Sequence, residues 1–503
     1  MRRLIQLLIP CVLLSGCFGP SEGVEVPQDQ IYFPVGLALD GQGSVHDHLF
    51  VVSSDFDLQY NGGAVQSYDL GRLERHYLPQ PCDEGLCPPR DGETTDVCIN
   101  GDRDTADRLL HPGRCSPIDP TSRDLQTASV KIGAFATDAI IRPLPEAHGN
   151  EPLERLYIPV RGDSTLHWID VTTTTGQMQC GQDGNDGSCN DAHRAGDNPS
   201  ENSRTIKLNA EPFGVDANAD GSTIVVTNQT TGTASLFRTD KGWDLGPQLR
   251  FALASSSIPS RPIGIVNVPP PQRPPGQESP KGTDGDTFMM TFRNSAQVRL
   301  VRFAGDLPSY PERPFLVDGG GVGIDANSVG SDSRGIAIDS KARQDAAARC
   351  AADDADCLGQ AALVPLDVYV ANRAPATLLI GRTRPPQDYP YFFQTLPLTT
   401  GPSRVTIGQI TTPSGDVETR VFVVCFDSRR IFVYDPQRSR IETEILTGRG
   451  PHSVVVDQDR KLLYVGHFTD SYIGVYSLDL QFPATYGTML GTLGTPKSPR
   501  SSK

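Results

Sequence analysis

The sequence predicts an all-β chain closed into a seven-bladed β-propeller. Three observations carry this: a strand phrase that recurs seven times, second strands apolar on both faces, and turn residues spaced regularly between them. First strands read PVGLALD, FATDAII, PFGVDAN, PIGIVNV, SRGIAID, PSRVTIG and PHSVVVD, with Gly36, Thr137, Gly214, Gly264, Gly335, Arg404 and Ser453 at one equivalent position. Second strands follow as LFVVS, LYIPV, TIVVTN, FMMTF, VYVAN, VFVVC and LYVGH, and third strands as AVQSYDL, TLHWIDV, ASLFRTD, QVRLVRF, TLLIGRT, RIFVYDP and YIGVYSLD. Fourth strands are expected at ASVKIG, SRTIKLN, QLRFALA, RPFLVDG, FFQTLPLT, IETEILTG and TYGTMLGTLG. β-Branched and aromatic runs between Gly, Asp and Asn turns favour antiparallel strands.

A single blade cannot bury both of its faces, so each must pack on its neighbours, and the second strand must be apolar on both sides. Ile224, Val225 and Val226, like Phe422, Val423 and Val424, run without polar interruption for this reason. For the ring to close, either TYGTMLGTLG completes the seventh blade alone or the N-terminal QIYF strand joins it.

The phrases VYVAN, VVTN and LYVGH, each followed by a polar loop and a strand such as GVYSLD, resemble the YVTN repeats of bacterial seven-bladed β-propellers. The resemblance covers residues 33 to about 494 and implies the fold. The family includes surface-layer and lactonase-like members, and fold alone does not select between such activities.

The first seventeen residues, MRRLIQLLIPCVLLSGC, have the layout of a secretory signal: two arginines, an apolar stretch too short to span a bilayer, and small residues before a cysteine. Leu14, Ser15, Gly16 and Cys17 resemble the bacterial lipoprotein box, which implies cleavage before Cys17 and its acylation, with palmitate among the chains. Several acyl chains anchor firmly where one does not. The expected organisation is a signal peptide over 1–16, a flexible tether over 17–30, the propeller over 31–494 and a disordered tail over 495–503. The expected location is the cell envelope, on a periplasmic or surface face of the outer membrane, since Phe18 rather than an aspartate follows the cysteine.

Cysteine usage fits export. Cys82, Cys87, Cys98, Cys115, Cys180, Cys189, Cys350 and Cys357 lie in polar inserts and are expected to form disulfides. Cys180 with Cys189 and Cys350 with Cys357 are the natural local pairs, and the first four allow three connectivities. The second local pair requires the ARCAADDADCLG segment to bend, because one continuous helix would hold those Cα atoms ~10 Å apart. Cys425, inside VFVVC, reads as a buried apolar residue. The spacing matches no zinc, haem or calcium motif, so neither a metal nor another cofactor is expected.

In antiparallel blades, the loops joining first to second and third to fourth strands share one face, and the remaining loops share the other. The inserts at 71–127, 172–203, 269–286 and 341–365 all fall on the first face. On the opposite face, the residue just after the second strand is Ser54, Arg161, Gln229, Arg293, Arg373, Phe426 or Phe468 in successive blades. The loops entering the first strands add Arg261, Arg334, Arg404 and Arg449, with His452 and His467 nearby in the last blade. A ring of guanidiniums suits bidentate recognition of carboxylate or phosphate. It is unexpected in a chain of net charge −15. The competing and favoured expectation is that the arginines pair with turn aspartates such as Asp138, Asp163, Asp216, Asp427 or Asp470 and lock the blades together.

Nucleic acid is disfavoured as a partner by the acidic balance and the lack of a basic stripe. Three classes remain: a membrane-anchored module binding an anion, a protein or a polysaccharide; a lactonase-like hydrolase with His452 or His467 as base; and a purely structural envelope component. No catalytic set of nucleophile, base and orienting group is legible, which leans away from an enzyme.

Overall fold

The computed structural model describes residues 24–41, 46–75, 117–122, 124–144, 153–181, 187–239, 243–254, 258–270, 286–305, 313–323 and 332–496. Seven antiparallel sheets follow one another along the chain, each built from consecutive strands. The first strands are Pro34–Leu39, Ile140–Pro143, Pro212–Ala217, Pro262–Val268, Ser333–Asp339, Pro402–Thr411 and Pro451–Asp457, and they open blades 1 to 7. The all-β propeller expected from the repeat is the fold of the chain.

The two-sided apolar demand is met by simple alternation, because neighbouring side chains in a strand point to opposite faces. In the second strand of blade 1, His48–Ser53, Leu49 and Val51 enter a core shared with Leu462, Tyr464 and Val475 of blade 7. Phe50 and Val52 enter the core shared with Leu156 and Ile158 of blade 2. Blade 3 repeats the device: Ile224 and Val226 face blade 2, while Val225 faces Phe288 and Met290 of blade 4. Every junction, including that between blades 7 and 1, holds such a shared core.

Near the axis the blades approach too closely for side chains. The pairing of first and second strands shifts register at the Pro-X-Gly entry of blade 1 and at the matching points of blades 3 to 7, a bulge that turns the strand inward. A Cβ on Gly214 would lie 2.3 Å from the Ile263 carbonyl oxygen of the next blade, and one on Gly264 would lie 2.3 Å from that of Arg334. The same carbonyls accept hydrogen bonds from the preceding blade, Thr227 Oγ1 donating to Ile263 at 3.2 Å and Thr291 Oγ1 to Arg334 at 3.0 Å. The equivalent position conserved by the repeat arithmetic is therefore a contact point between blades.

Among the described residues, ring closure uses no strand exchange. Met489–Leu493 pairs with Tyr472–Ser477 and completes blade 7 from its own residues, and QIYF stays outside that sheet. The junction is fastened elsewhere. Ile118 forms a parallel bridge to Leu493, Ile31 packs into the core between blades 7 and 1, and His452 Nδ1 lies 3.0 Å from the Val35 carbonyl oxygen. Within the stretch expected to be a tether, residues 24–30 lie against blade 1, through the Val24 bridge to Tyr60 and the Gln66 amide donating to the Gln30 carbonyl at 2.7 Å.

One strand expectation needs correcting. The outer position of blade 2 is filled by Gln177–Gln179 and Arg194–Ala195, which pair with opposite ends of Thr165–Thr172. SRTIKLN is thereby excluded from that edge. The Asn202 side chain accepts from the Arg204 and Ile206 backbone N–H groups and holds the segment as a loop. Arg204 then reaches outward to donate to the Arg250 and Pro314 carbonyls of blades 3 and 4.

Both local disulfides form. Cys180–Cys189, with Cα atoms 4.9 Å apart, closes a loop whose Ser188 bridges Lys131 on the outer edge of blade 1. Cys350–Cys357, at 5.6 Å, joins two helices, Lys341–Ala348 and Ala355–Ala362, that form the bent hairpin the spacing requires. Cys82, Cys87, Cys98 and Cys115 lie outside the described residues. Cys425 is fully buried, and that burial pushes its thiol up to about 11, which leaves it an unreactive core residue.

Close approach at the axis makes a direct prediction. Gly264→Ala should destabilise the protein by about 1–3 kcal/mol, because backbone must move. Gly359→Ala, in a helix and with nothing within 4 Å of the new Cβ, should be neutral or stabilising by up to ~1 kcal/mol. Thermal melts of the two variants side by side check both, and equal melting points would contradict the contact account.

Candidate functional site

The loops opposite the inserts converge on a cavity of about 270 Å³ at the mouth of the ring. It is lined by Arg161, Arg334 and Arg373, by the rings of Phe56, Phe135, Phe213, Phe426 and Phe468, and by Thr137, Ser403 and His452. Arg161, Arg373, Phe426 and Phe468 all follow a second strand directly, so one repeat position supplies both kinds of wall.

A single ion pair crosses the axis. Arg404 of blade 6 donates through Nη1 to Asp138 Oδ1 of blade 2 at 2.7 Å and through Nη2 to the Thr137 carbonyl at 3.1 Å. These blades are not neighbours, so the bond spans the channel. His452 sits beside it, and burial, with the Arg404 guanidinium second, holds its imidazole below the ordinary histidine range.

Most rim arginines have partners. Arg161 donates to Glu211 of the next blade, Arg373 to Asp427 of the next blade at 2.6 Å, and Arg334 to Asp332 in its own loop through Nε and Nη2. Arg449 pairs with Asp470 at 2.7 Å. Of the turn aspartates named from the sequence, Asp138, Asp427 and Asp470 thus meet arginines of the mouth face. Asp163 instead faces His167 at 3.1 Å, and Asp216 takes Arg142. Exposed ion pairs of this kind contribute about 0–1 kcal/mol each, so they hold the rim in place at little cost to exchange.

Arg293 stands apart. Among the described residues its side chain has no hydrogen-bond acceptor, and its pKa is depressed by burial and then by the guanidinium of Arg334, with the nearby Asp332 carboxylate opposing and Arg261 and Arg373 adding to the effect. Its backbone N–H bonds to the Arg261 carbonyl at 3.0 Å, which holds the two loops together. Two more donors are left over nearby: Arg161 Nε and the Gln229 amide nitrogen are buried without a hydrogen-bond partner. Buried unpaired donors are expensive, and they mark where an acceptor belongs.

The aromatic wall was only partly legible. Phe426 and Phe468 stand out at the repeat position, but Phe33, Phe56 and Phe135 did not. Ring centroids lie 5.2 Å apart for Phe56–Phe468 and Phe33–Phe468 and 6.1 Å for Phe56–Phe135. The available signal was the residue just before each first strand. Phe33, Phe135, Glu211, Arg261, Gly401 and Gly450 occupy this turn with φ between 43° and 85°. Glycine takes that conformation freely, whereas the first four hold it at a cost of about 1 kcal/mol or more each.

His467, expected beside His452 at the mouth, is not there. It is fully buried inside blade 7, stacked on Tyr472 at 4.1 Å, with Gly448 N–H donating to Nε2 at 3.2 Å. The aromatic stack and the backbone donor draw the ring into the sheet, and burial lowers its pKa to about 3. Among the described residues, no group of three or more His, Cys, Asp or Glu side chains could hold a metal ion.

The buried His467 generates a pH prediction. Its folded pKa lies below the unfolded value of about 6.5, so between about 6.5 and about 3 the unfolded chain takes the proton first and stability falls as pH falls. His467→Gln should flatten the fall in melting temperature across that window, whatever its absolute effect on stability. An unchanged slope would contradict the burial account.

No family model matches the chain, and no curated protein sequence matches it. Solved structures do. The hydrazine synthase of Kuenenia stuttgartiensis is 11% identical with a TM-score of 0.45, over 89% of this chain and 96% of that one. The periplasmic gluconolactonase PpgL of Pseudomonas aeruginosa is 13% identical with a TM-score of 0.44, over 84% and 87%. At these identities and scores they are likenesses of shape, and the propeller rests on its own sheet order.

Proposed function

We propose that the chain is an exported binding module, tethered to the cell envelope through acylated Cys17, whose mouth captures a small anion for a protein or polysaccharide partner at the membrane. The single observation that carries the ligand is the gathering of Arg161, Arg334 and Arg373 on one cavity, with Arg293 close behind Arg334. Net charge −15 makes such a concentration of positive charge at one mouth a local construction. The neighbouring pairs support the reading: Arg161–Glu211 and Arg373–Asp427 are partly exposed at both ends, so a ligand anion can replace a protein carboxylate at small net cost. Cys17 anchoring and an outer-membrane location are supported by the LSGC sequence and its apolar leader.

Replacing Arg161, Arg293 and Arg373 together with alanine should abolish capture of small carboxylates and phosphates, read by calorimetry, while the melting temperature stays within a few degrees. Loss of the fold instead would favour the ion pairs as blade locks. Cys17→Ser should abolish incorporation of labelled palmitate and release the protein from membranes, and continued labelling would overturn the anchor.

A hydrolase reading has one observation in its favour: His452 lines the cavity. Its Nδ1 is engaged by the Val35 carbonyl and its basicity is depressed, which weakens it as a general base at neutral pH. Lactone turnover by the mature protein that is lost in His452→Gln would establish this reading in place of binding alone.

A further inference from the structure

The mouth combines arginines with aromatic rings, and the combination specifies a ligand. Starting from the repeat position, blades 2 and 5 carry Arg161 and Arg373, while blades 6 and 7 carry Phe426 and Phe468. Blade 1 adds Phe56 two residues beyond Ser54. These side chains, with Arg334, Phe135 and Phe213, line one common cavity of about 270 Å³.

The aromatic lining is not simply a core that reaches the surface. Phe56 is 52% exposed, while Phe468 beside it meets Phe33, Phe56, Phe426 and His452 at centroid distances between 5.2 and 6.4 Å. Phe33 and Phe135 hold left-handed backbone, φ 43° and 60°, where blades 6 and 7 use glycine. An exposed ring at the edge of a cavity is unfavourable in the empty protein. It becomes favourable when a flat apolar group covers it.

We infer that the mouth takes a small aromatic acid, a single ring bearing one anionic group, with the ring against Phe56 and Phe468 and the anion on Arg161, Arg334 and Arg373. This rests on the reading of the mouth as an anion site and adds the apolar half. The volume suits one ring with a short acidic arm, near the lower end of small-molecule pockets. Edge-to-face packing of rings favours an aromatic body. The forked guanidinium, and the unpaired Arg161 Nε, favour a carboxylate or similar planar anion over a neutral polar group.

The test is calorimetric titration of the mature protein with phenylacetate, acetate and benzyl alcohol. Phenylacetate should bind at least tenfold more tightly than either of the others. Phe56→Ala should weaken phenylacetate about tenfold with an unchanged melt, since the ring is half exposed, and should leave acetate unaffected. Arg373→Gln should weaken both acids. Equal binding of acetate and phenylacetate would overturn the aromatic half while leaving the anion site standing. Equal binding of benzyl alcohol and phenylacetate would overturn the charged half, and no binding of any of the three would overturn both readings.

Discussion

The structure depends on the fact that no blade can bury its own two faces. Each four-stranded sheet gains its stability from cores shared with the blade before and the blade after, and the second strand contributes alternate residues to each. Leu49 and Val51 belong to one junction and Phe50 and Val52 to the next. Burial of this kind stabilises by about 25 cal/mol per Å² of apolar surface, and it is available only when the ring is complete. The last junction, between blades 7 and 1, must therefore be as well made as the others. It is held by a full shared core, by the Ile118 bridge to Leu493 and by the bond from His452 to the Val35 carbonyl.

Close packing at the axis follows from the same demand. Blades taper inward, and the inner strands meet backbone to side chain at Gly214 and Gly264, where the neighbouring carbonyl lies too near for a Cβ. Where the repeat departs from glycine, the substituent finds another use. Thr137 donates through Oγ1 to the Phe213 carbonyl at 2.7 Å, and Arg404 extends across the channel to Asp138. The Arg404–Asp138 pair thus ties blade 6 to blade 2 across the axis.

Antiparallel alternation then separates the two ends of the ring. Chain inserted between first and second strands, or between third and fourth, must emerge on one face, and the Cys350–Cys357 hairpin lies there, whereas Cys180–Cys189 sits along the outer edge of blade 2 between its two short edge strands. The opposite face keeps short loops, which hold its side chains in repeatable positions. Short loops are what allow one repeat position to supply Arg161, Arg373, Phe426 and Phe468 to a common cavity. They also explain why the arginines pair with acids in the next blade, as Arg161 does with Glu211 and Arg373 with Asp427. A guanidinium reaching sideways around the rim meets the turn of its neighbour.

By itself, the sequence determined the propeller, the strands of the blades apart from the outer edge of blade 2, and both described disulfides, because strand alternation, turn residues and repeat spacing are local and periodic; of the mouth arginines it named, Arg161, Arg334 and Arg373 line the cavity. Tertiary structure decided what depends on partners distant in sequence. It placed Gln177–Gln179 and Arg194–Ala195 on the edge of blade 2 in place of SRTIKLN, since a sheet edge accepts whichever segment pairs first and best. It drew His467 into blade 7 while leaving His452 at the mouth. It gathered Phe33 and Phe135, from the turns entering two blades, and Phe56, from a loop between second and third strands, into one aromatic wall. The partner of each rim arginine was likewise beyond reach of the repeat, because a side chain chooses among the acids within its span, and only the closed ring brings Asp138 within 2.7 Å of Arg404.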